Sequence, residues 1–159
     1  MIIREYEQSD LDNCEKLRMK LFSRENKAHN ENGTEVDSEG GSSDCELGWN
    51  IFVAEDKGQL IGFIEVSIKK FDGMVNDRVG YIEGWYIDSN YRNKGLGKLL
   101  IIEAENWVKY EGCNSMASFI PADNATATEL FEKLGYKIVN KNDISFYFLK
   151  EIRRMDKAI

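Results

Sequence analysis

The segment Tyr91 to Leu100, YRNKGLGKLL, holds the residue types best suited to gripping a ligand. Gly95 and Gly97 let the main chain pass close to a bound group. At the start of a helix the free N–H groups of Asn93, Lys94, Gly95, Leu96, Gly97 and Lys98 are donors for an anion, most naturally a phosphate. The order GxxxxGK[ST] of a Walker loop is absent, because Leu99 follows Lys98. A dinucleotide fingerprint is absent as well, with Leu100 standing where GxGxxG needs its third glycine. Taken alone, the RxxGxG string that starts at Arg92 fits an ordinary turn and helix start as well as it fits a ligand loop.

Other chemistry is thinly represented. Cys14, Cys45 and Cys113 are odd in number, far apart and in no CxxC pair, so neither a disulfide framework nor a four-ligand zinc site is expected, and no metal is. His29 is the only histidine, which leaves no pair of imidazoles for a metal and no partner tied to a Ser or Cys nucleophile.

The elements that must position the glycine loop follow from periodicity. Ser9 is placed to cap a first helix with the apolar face Leu11, Cys14, Leu17 and Leu21, ending near Phe22. The runs Ile51 to Asp56 and Leu60 to Lys70, parted by Lys57, Gly58 and Gln59, read as an antiparallel hairpin. After a polar linker, Arg78 to Asp88 forms a strand in which Gly84 marks a bulge or a close backbone approach. An amphipathic helix runs from Gly97 to Glu111, with Gly112 as its C′ residue. Ser115 to Ile120 is a strand stopped by Pro121, Asp123 or Asn124 caps a helix reaching Gly135, and Ile144 to Ile152 is a final strand.

With 159 residues, one domain over 1–152 and a polar tail over 153–159 is the expected organisation. No apolar run approaches the ~20 residues that span a bilayer, and the charged residues among the first twenty leave no secretory h-region, so a cytoplasmic protein without a membrane partner is expected. The net charge of −7 has the wrong sign for nucleic acid and the right one for a cationic ligand. Residues 31–47 account for −6 of it, through Glu31, Glu35, Asp37, Glu39, Asp44 and Glu46 with no Lys or Arg between them. Interleaved Gly and Ser make this segment a flexible acidic loop, read either as a solubiliser or as a wall over a polycation site.

The glycine string does not stand alone. Arg92, Gly95 and Gly97 follow YIEGWYID and precede NATATELFEKLGY, Asn124 to Tyr136. This arrangement resembles the GNAT N-acetyltransferases, in which an R/QxxGxG/A loop is followed by an Asn-started helix ending in LGF or LGY. The resemblance covers about Ile51 to Lys150 and implies an α/β GNAT fold, a mixed and largely antiparallel sheet flanked by helices. It implies acetyl-CoA as co-substrate, with its pyrophosphate on the amides of Arg92 through Lys98 and its pantetheine arm on the main chain of Trp85, Tyr86 and Ile87, in a strand splayed from its neighbour. The resemblance also assigns Asn124 to this cofactor site. A homodimer is compatible with the family.

Within that family, Glu65 to Asp88, Trp107 to Ser118 and Ala122 to Asn124 resemble the aminoglycoside 6′-N-acetyltransferases, whose activity confers antibiotic resistance. Two positions depart from the pattern: Phe119 replaces an acidic residue after Ala-Ser, and Phe131 replaces the usual tyrosine of the Asn-led helix. Acyl transfer from a thioester needs a neutral amine, a donor for the developing oxyanion and a proton for the thiolate. Glu83 is the candidate base or amine-steering carboxylate, two residues before Trp85 and by strand alternation on its face; the alternative is a solvent-facing strand residue. Tyr147 is the candidate acid, unless it only packs and the thiolate leaves unaided. Glu65, Asp72 and Asp77 are candidates to surround a cationic small-molecule amine, the two aspartates being equally at home in a turn. Other amines, such as a polyamine or a peptide N-terminus, and a coenzyme A-binding module without turnover remain alternatives.

Overall fold

The computed structural model describes residues 1–29, 45–70 and 78–153. Strand β1 (Ile2–Glu5) is followed by a 3-10 turn and helix α1 (Leu11–His29); β2 (Cys45–Asp56), β3 (Gln59–Lys70) and β4 (Arg78–Ile87) come next. A second 3-10 turn leads into α2 (Leu96–Tyr110), then β5 (Ser115–Pro121), α3 (Ala125–Lys133), β6 (Lys137–Lys141) and β7 (Ser145–Glu151). The seven strands form one sheet in the order β1-β2-β3-β4-β5-β7-β6. Every neighbouring pair is antiparallel except β4 and β5, which are parallel. The mixed, largely antiparallel sheet is thus present.

Two apolar layers sandwich the sheet. On one face Leu96, Leu100, Ile101, Ala104 and Val108 of α2 and Ala127 and Phe131 of α3 meet Ile64, Val66, Ile82, Met116 and Phe148. On the other, Cys14 and Leu17 of α1 meet Ile51, Val53, Phe63 and Tyr86. The buried residues of α2 recur three and four apart, so one stripe of the helix faces the sheet. That stripe includes Glu105, whose carboxylate accepts from Lys150 Nζ at 3.1 Å and from the Tyr136 hydroxyl at 2.8 Å. A buried charge is tolerable only with such partners.

Several expectations need correction. α1 continues to His29 rather than ending near Phe22, because Ser23 to Ala28 hold no glycine or proline to stop it. Ser9 does not cap it but lies inside the 3-10 turn Gln8–Asp10 that leads into α1; the N-cap of that turn is Glu7, whose N–H donates to the Asp10 carboxylate at 2.8 Å, and Asp10 pairs with Arg4 at 2.7 Å. β2 begins at Cys45, so the last residues assigned to the acidic loop are strand, paired from Cys45 with Lys70; residues 30–44 lie outside the described residues. β1 and β6 went unrecognised in the sequence. Each is short, and β6 is exposed throughout, so neither has the buried alternation that marks a strand. The hairpin of β2 and β3 is as read, but its turn is two residues, Lys57 and Gly58, both at positive φ, with Gln59 already in β3 and paired with Asp56.

Candidate functional site

The parallel pair β4 and β5 is the exception in the sheet, and it is short. Val79, Gly80 and Tyr81 pair with Ser115, Met116 and Ala117, and there the pairing stops. β4 continues to Ile87 and β5 to Pro121, so from Ile82 onward the two strands part and leave a gap. Ladder alternation decides which main-chain groups line it. The Asp88 N–H donates to Ile61 C=O at 2.8 Å, in register with the pairs Gly62–Ile87, Phe63–Tyr86 and Ile64–Trp85. Tyr86 therefore spends its N–H and C=O on β3, while those of Trp85 and Ile87 face the gap. Of the three residues expected to offer main chain to a ligand, Trp85 and Ile87 are placed to do so and Tyr86 is not.

The glycine loop closes one end of this gap. Gly95 is the N-cap of α2 at φ 80°, and Asn93 is also left-handed at φ 62°. Alternating left-handed residues just before a helix turn successive N–H groups to one side, a concavity that suits an anion. Arg92 Nε donates to Ile87 C=O at 2.9 Å, and its guanidinium lies over the Tyr86 ring, tying the loop to the end of β4. Lys94 and Lys98 are exposed and add positive charge. Gly97 has a reason besides the approach of a ligand. A Cβ built there would sit 2.4 Å from Trp85 Cζ2, so the missing side chain makes room for an indole. Trp85 packs edge-on to buried Phe131 at 6.0 Å, and its Nε1 is buried with no hydrogen-bond partner among the described residues.

A bulge decides what stands on the opposite face. Glu65 pairs with Gly84 and Val66 with Ile82, so Glu83 is the extra residue of β4. Side-chain alternation is reset there. Trp85 packs with the α2 layer, whereas Glu83 accepts from Ser67 Oγ at 2.7 Å and pairs with Lys69 Nζ at 2.8 Å on the α1 side. The expectation that Glu83 shares a face with Trp85 is overturned. Around Glu83 lie Tyr81, with Lys69 Nζ 4.3 Å above its ring, and Phe119, edge-on to Tyr81 at 6.1 Å and 4.7 Å from Tyr147. Burial first, then the Glu83 charge, push the Tyr81 hydroxyl above the ordinary phenol range. Phe119 is 54% exposed, an aromatic ledge beside the carboxylate. Further along the same face, between α1 and strands β2 and β3, a groove of about 210 Å³ is lined by Trp49, Glu65, Arg18, Glu15 and Tyr6 among others, with Arg18 on Glu65 at 2.8 Å.

Residues 15–136 fit the Acetyltransferase (GNAT) family. The chain belongs to that family. Among curated relatives, an aminoglycoside N(6′)-acetyltransferase type 1 of Klebsiella aerogenes is 33% identical over 87 residues, 54% of this chain and 57% of the relative. Its Acinetobacter haemolyticus counterpart is 32% identical over 96 residues, 59% and 64% of the two chains; the matches span little more than half of the relatives' length. Among solved structures, the aminoglycoside N-acetyltransferase AAC(6′)-Iy in complex with CoA superposes with a TM-score of 0.67 at 24% identity, covering 89% of this chain and 95% of that one. That likeness is one of fold.

In this GNAT chain the remaining candidates fall as follows. Asn124 is the N-cap of α3, its side-chain oxygen accepting the Ala127 N–H at 3.2 Å, which leaves its amide NH₂ as the group for a ligand. Tyr147 shares the face and neighbourhood of Glu83 across Phe119. Glu65 is on the same face beside Arg18. Asp72 and Asp77 lie outside the described residues. Lys69, Ser67 and Tyr81 were missed by sequence reasoning. Their signal was present as alternate positions in SIK and YIE, but only the register of β3 on β4 makes them neighbours. Among the described residues no helix is long and apolar enough to cross a membrane and no cluster could hold a metal.

Proposed function

We propose that the chain transfers the acetyl group of acetyl-CoA to the amine of a small cationic molecule, the 6′-amino group of an aminoglycoside being the first candidate. The observation that carries this reading is the parting of β4 from β5 at Tyr81, with a left-handed, amide-rich loop at one end and Glu83 on the face beyond. Acetyl-CoA would supply an activated thioester carbonyl. The amides from Asn93 to Lys98 would hold its pyrophosphate, and the Trp85 C=O and the Ile87 N–H would pair with its pantetheine arm, the Ile87 C=O being held by Arg92. The Trp85 main-chain N–H is the natural oxyanion donor. The buried Trp85 Nε1 supports the fit, since an unmade bond of this kind costs ~1–3 kcal/mol, which an acceptor in the gap would recover.

Glu83 then receives the amine. One of its oxygens is held by Ser67 and Lys69, which fixes the carboxylate and leaves the other to orient the nitrogen and take its proton directly or through water. Tyr147 is the candidate donor for the departing thiolate. The curated relatives of the same chemistry favour the aminoglycoside. A second reading is favoured by one observation: Glu65 and Glu83 are each paired internally, with Arg18 and Lys69, and stand beside exposed Phe119 and Trp49. This charge-balanced, aromatic surface suits an amine on an apolar body, such as a peptide N-terminus or a monoamine, better than a polycation. Thermal-shift titration with acetyl-CoA, followed by thiol release with kanamycin, spermidine and a monoamine, tests both. Only ligands of the native state raise the melting temperature, and acetyl-CoA stabilisation without thiol release from any amine would identify a binding module instead.

A further inference from the structure

We propose that Lys69 is a resident cation in the amine-receiving subsite, occupying the place of the substrate's ammonium, so that substrate binding must displace it. Three contacts define the place. Lys69 Nζ is 2.8 Å from Glu83 Oε1 and 4.3 Å above the Tyr81 ring, and Ser67 Oγ donates to the same carboxylate oxygen at 2.7 Å. A carboxylate beside an aromatic face is the combination that recognises an organic ammonium. Here the protein supplies its own.

The pair is built to open. Its side chains are 21% and 33% exposed, so water competes for both charges and the attraction is modest. Lysine is also a compact charge on a flexible four-carbon stem, able to swing into solvent without moving the strand that carries it. The neighbouring pair differs: Arg18 reaches Glu65 at 2.8 Å and also lies near Glu15 and over Phe63, a planar group held on several sides. Lys69 is therefore the exchangeable one. It lowers affinity for every ammonium that must take its place, and most for substrates with no second cation or apolar body to hold elsewhere. This inference rests on Glu83 receiving the amine.

Steady-state acetylation by Lys69→Met and Lys69→Arg against the wild type tests it. Breaking a surface pair of this kind is worth about twofold to fivefold in an equilibrium constant. Lys69→Met should lower KM for a cationic amine by that factor, with the change carried by KM rather than kcat. Lys69→Arg, whose fork grips a carboxylate with two bonds, should raise it. A second readout is labelling of Lys69 by N-hydroxysuccinimide acetate on the CoA-loaded wild type, read by mass spectrometry as a ratio to the exposed Lys57 and Lys133 so that reagent consumed by the free amine cancels. Labelling should increase when the amine is present.

A higher KM in Lys69→Met, or labelling unaffected by the amine, would overturn the proposal and make Lys69 a prop for the bulge. Should the wild type acetylate none of the amines, the reading of function fails on its own. Calorimetric affinity of kanamycin for wild type and Lys69→Met then decides this inference, tighter binding by the variant upholding it and equal binding refuting it.

Discussion

Substituting Gly97 with alanine asks whether the second glycine of the loop serves the ligand or the core. The added Cβ would meet Trp85 Cζ2 at 2.4 Å, Cε2 at 3.2 Å and Cη2 at 3.4 Å. An indole caught between α2 and Phe131 cannot yield at its tip as a flexible side chain would, so the ring and its strand must shift together. Overpacking of this kind costs ~1–3 kcal/mol. Alanine's better helix propensity returns up to ~1 kcal/mol. The expected net loss is about 1–2 kcal/mol, or roughly 2–8 °C in melting temperature for a chain of this size. Because Trp85 lines the gap, coenzyme A affinity should fall as well, and tryptophan fluorescence should change. Gly95→Ala is the control. Its Cβ meets nothing within 4 Å, but its φ of 80° makes any side chain strained, at roughly 1–2 kcal/mol, with Trp85 fluorescence unchanged. Pairing Gly97→Ala with Trp85→Phe should recover part of the stability, a coupling that a double-mutant cycle measures. Wild-type melting and fluorescence in Gly97→Ala would refute the packing argument.

Glu83→Gln should lower turnover by ~10²-fold while coenzyme A affinity, measured by calorimetry, stays intact; part of the activity should return at higher pH, where more amine is already neutral. A rise in KM alone would reduce Glu83 to a steering charge. Tyr147→Phe should lower kcat if the phenol donates to the thiolate and leave it unchanged if the ring only packs on Phe119, with stopped-flow thiol release separating the two. Lys150→Met leaves the buried Glu105 carboxylate with Tyr136 as its remaining partner, and chemical denaturation should show a loss of about 3 kcal/mol. The Arg4 guanidinium holds the Asp10 carboxyl below its ordinary range. Its stabilisation is therefore present above the usual carboxylate pKa and is lost as pH falls through the lowered folded value. Melting curves of wild type and Asp10→Asn should differ at neutral pH and converge in acid.

Local sequence was enough for α2, α3, the hairpin of β2 and β3 and the loop from Arg92 to Lys98, because each is announced by residues near one another: a stripe at helical spacing, Asn124 at a cap, Gly112 after a last turn, Lys57 and Gly58 between two apolar runs. The family pattern in Arg92, Gly95 and Gly97 is of the same kind, a backbone requirement written in consecutive positions. Long-range register decided the rest. Gly84 in the sequence signalled a bulge or a close approach, but which way Glu83 points depends on how β3 counts against β4, and one extra residue moves the carboxylate to the opposite face from Trp85. The same pairing seats Lys69 and Ser67 on that carboxylate from fourteen and sixteen positions away. Gly97 carries the sequence mark of a ligand loop and the structural duty of accommodating an indole twelve residues upstream. Side-chain alternation is a property of one strand, whereas the partner across a sheet, the end of a ladder and the occupant of a missing Cβ belong to pairs of distant segments and exist only once the chain has closed on itself.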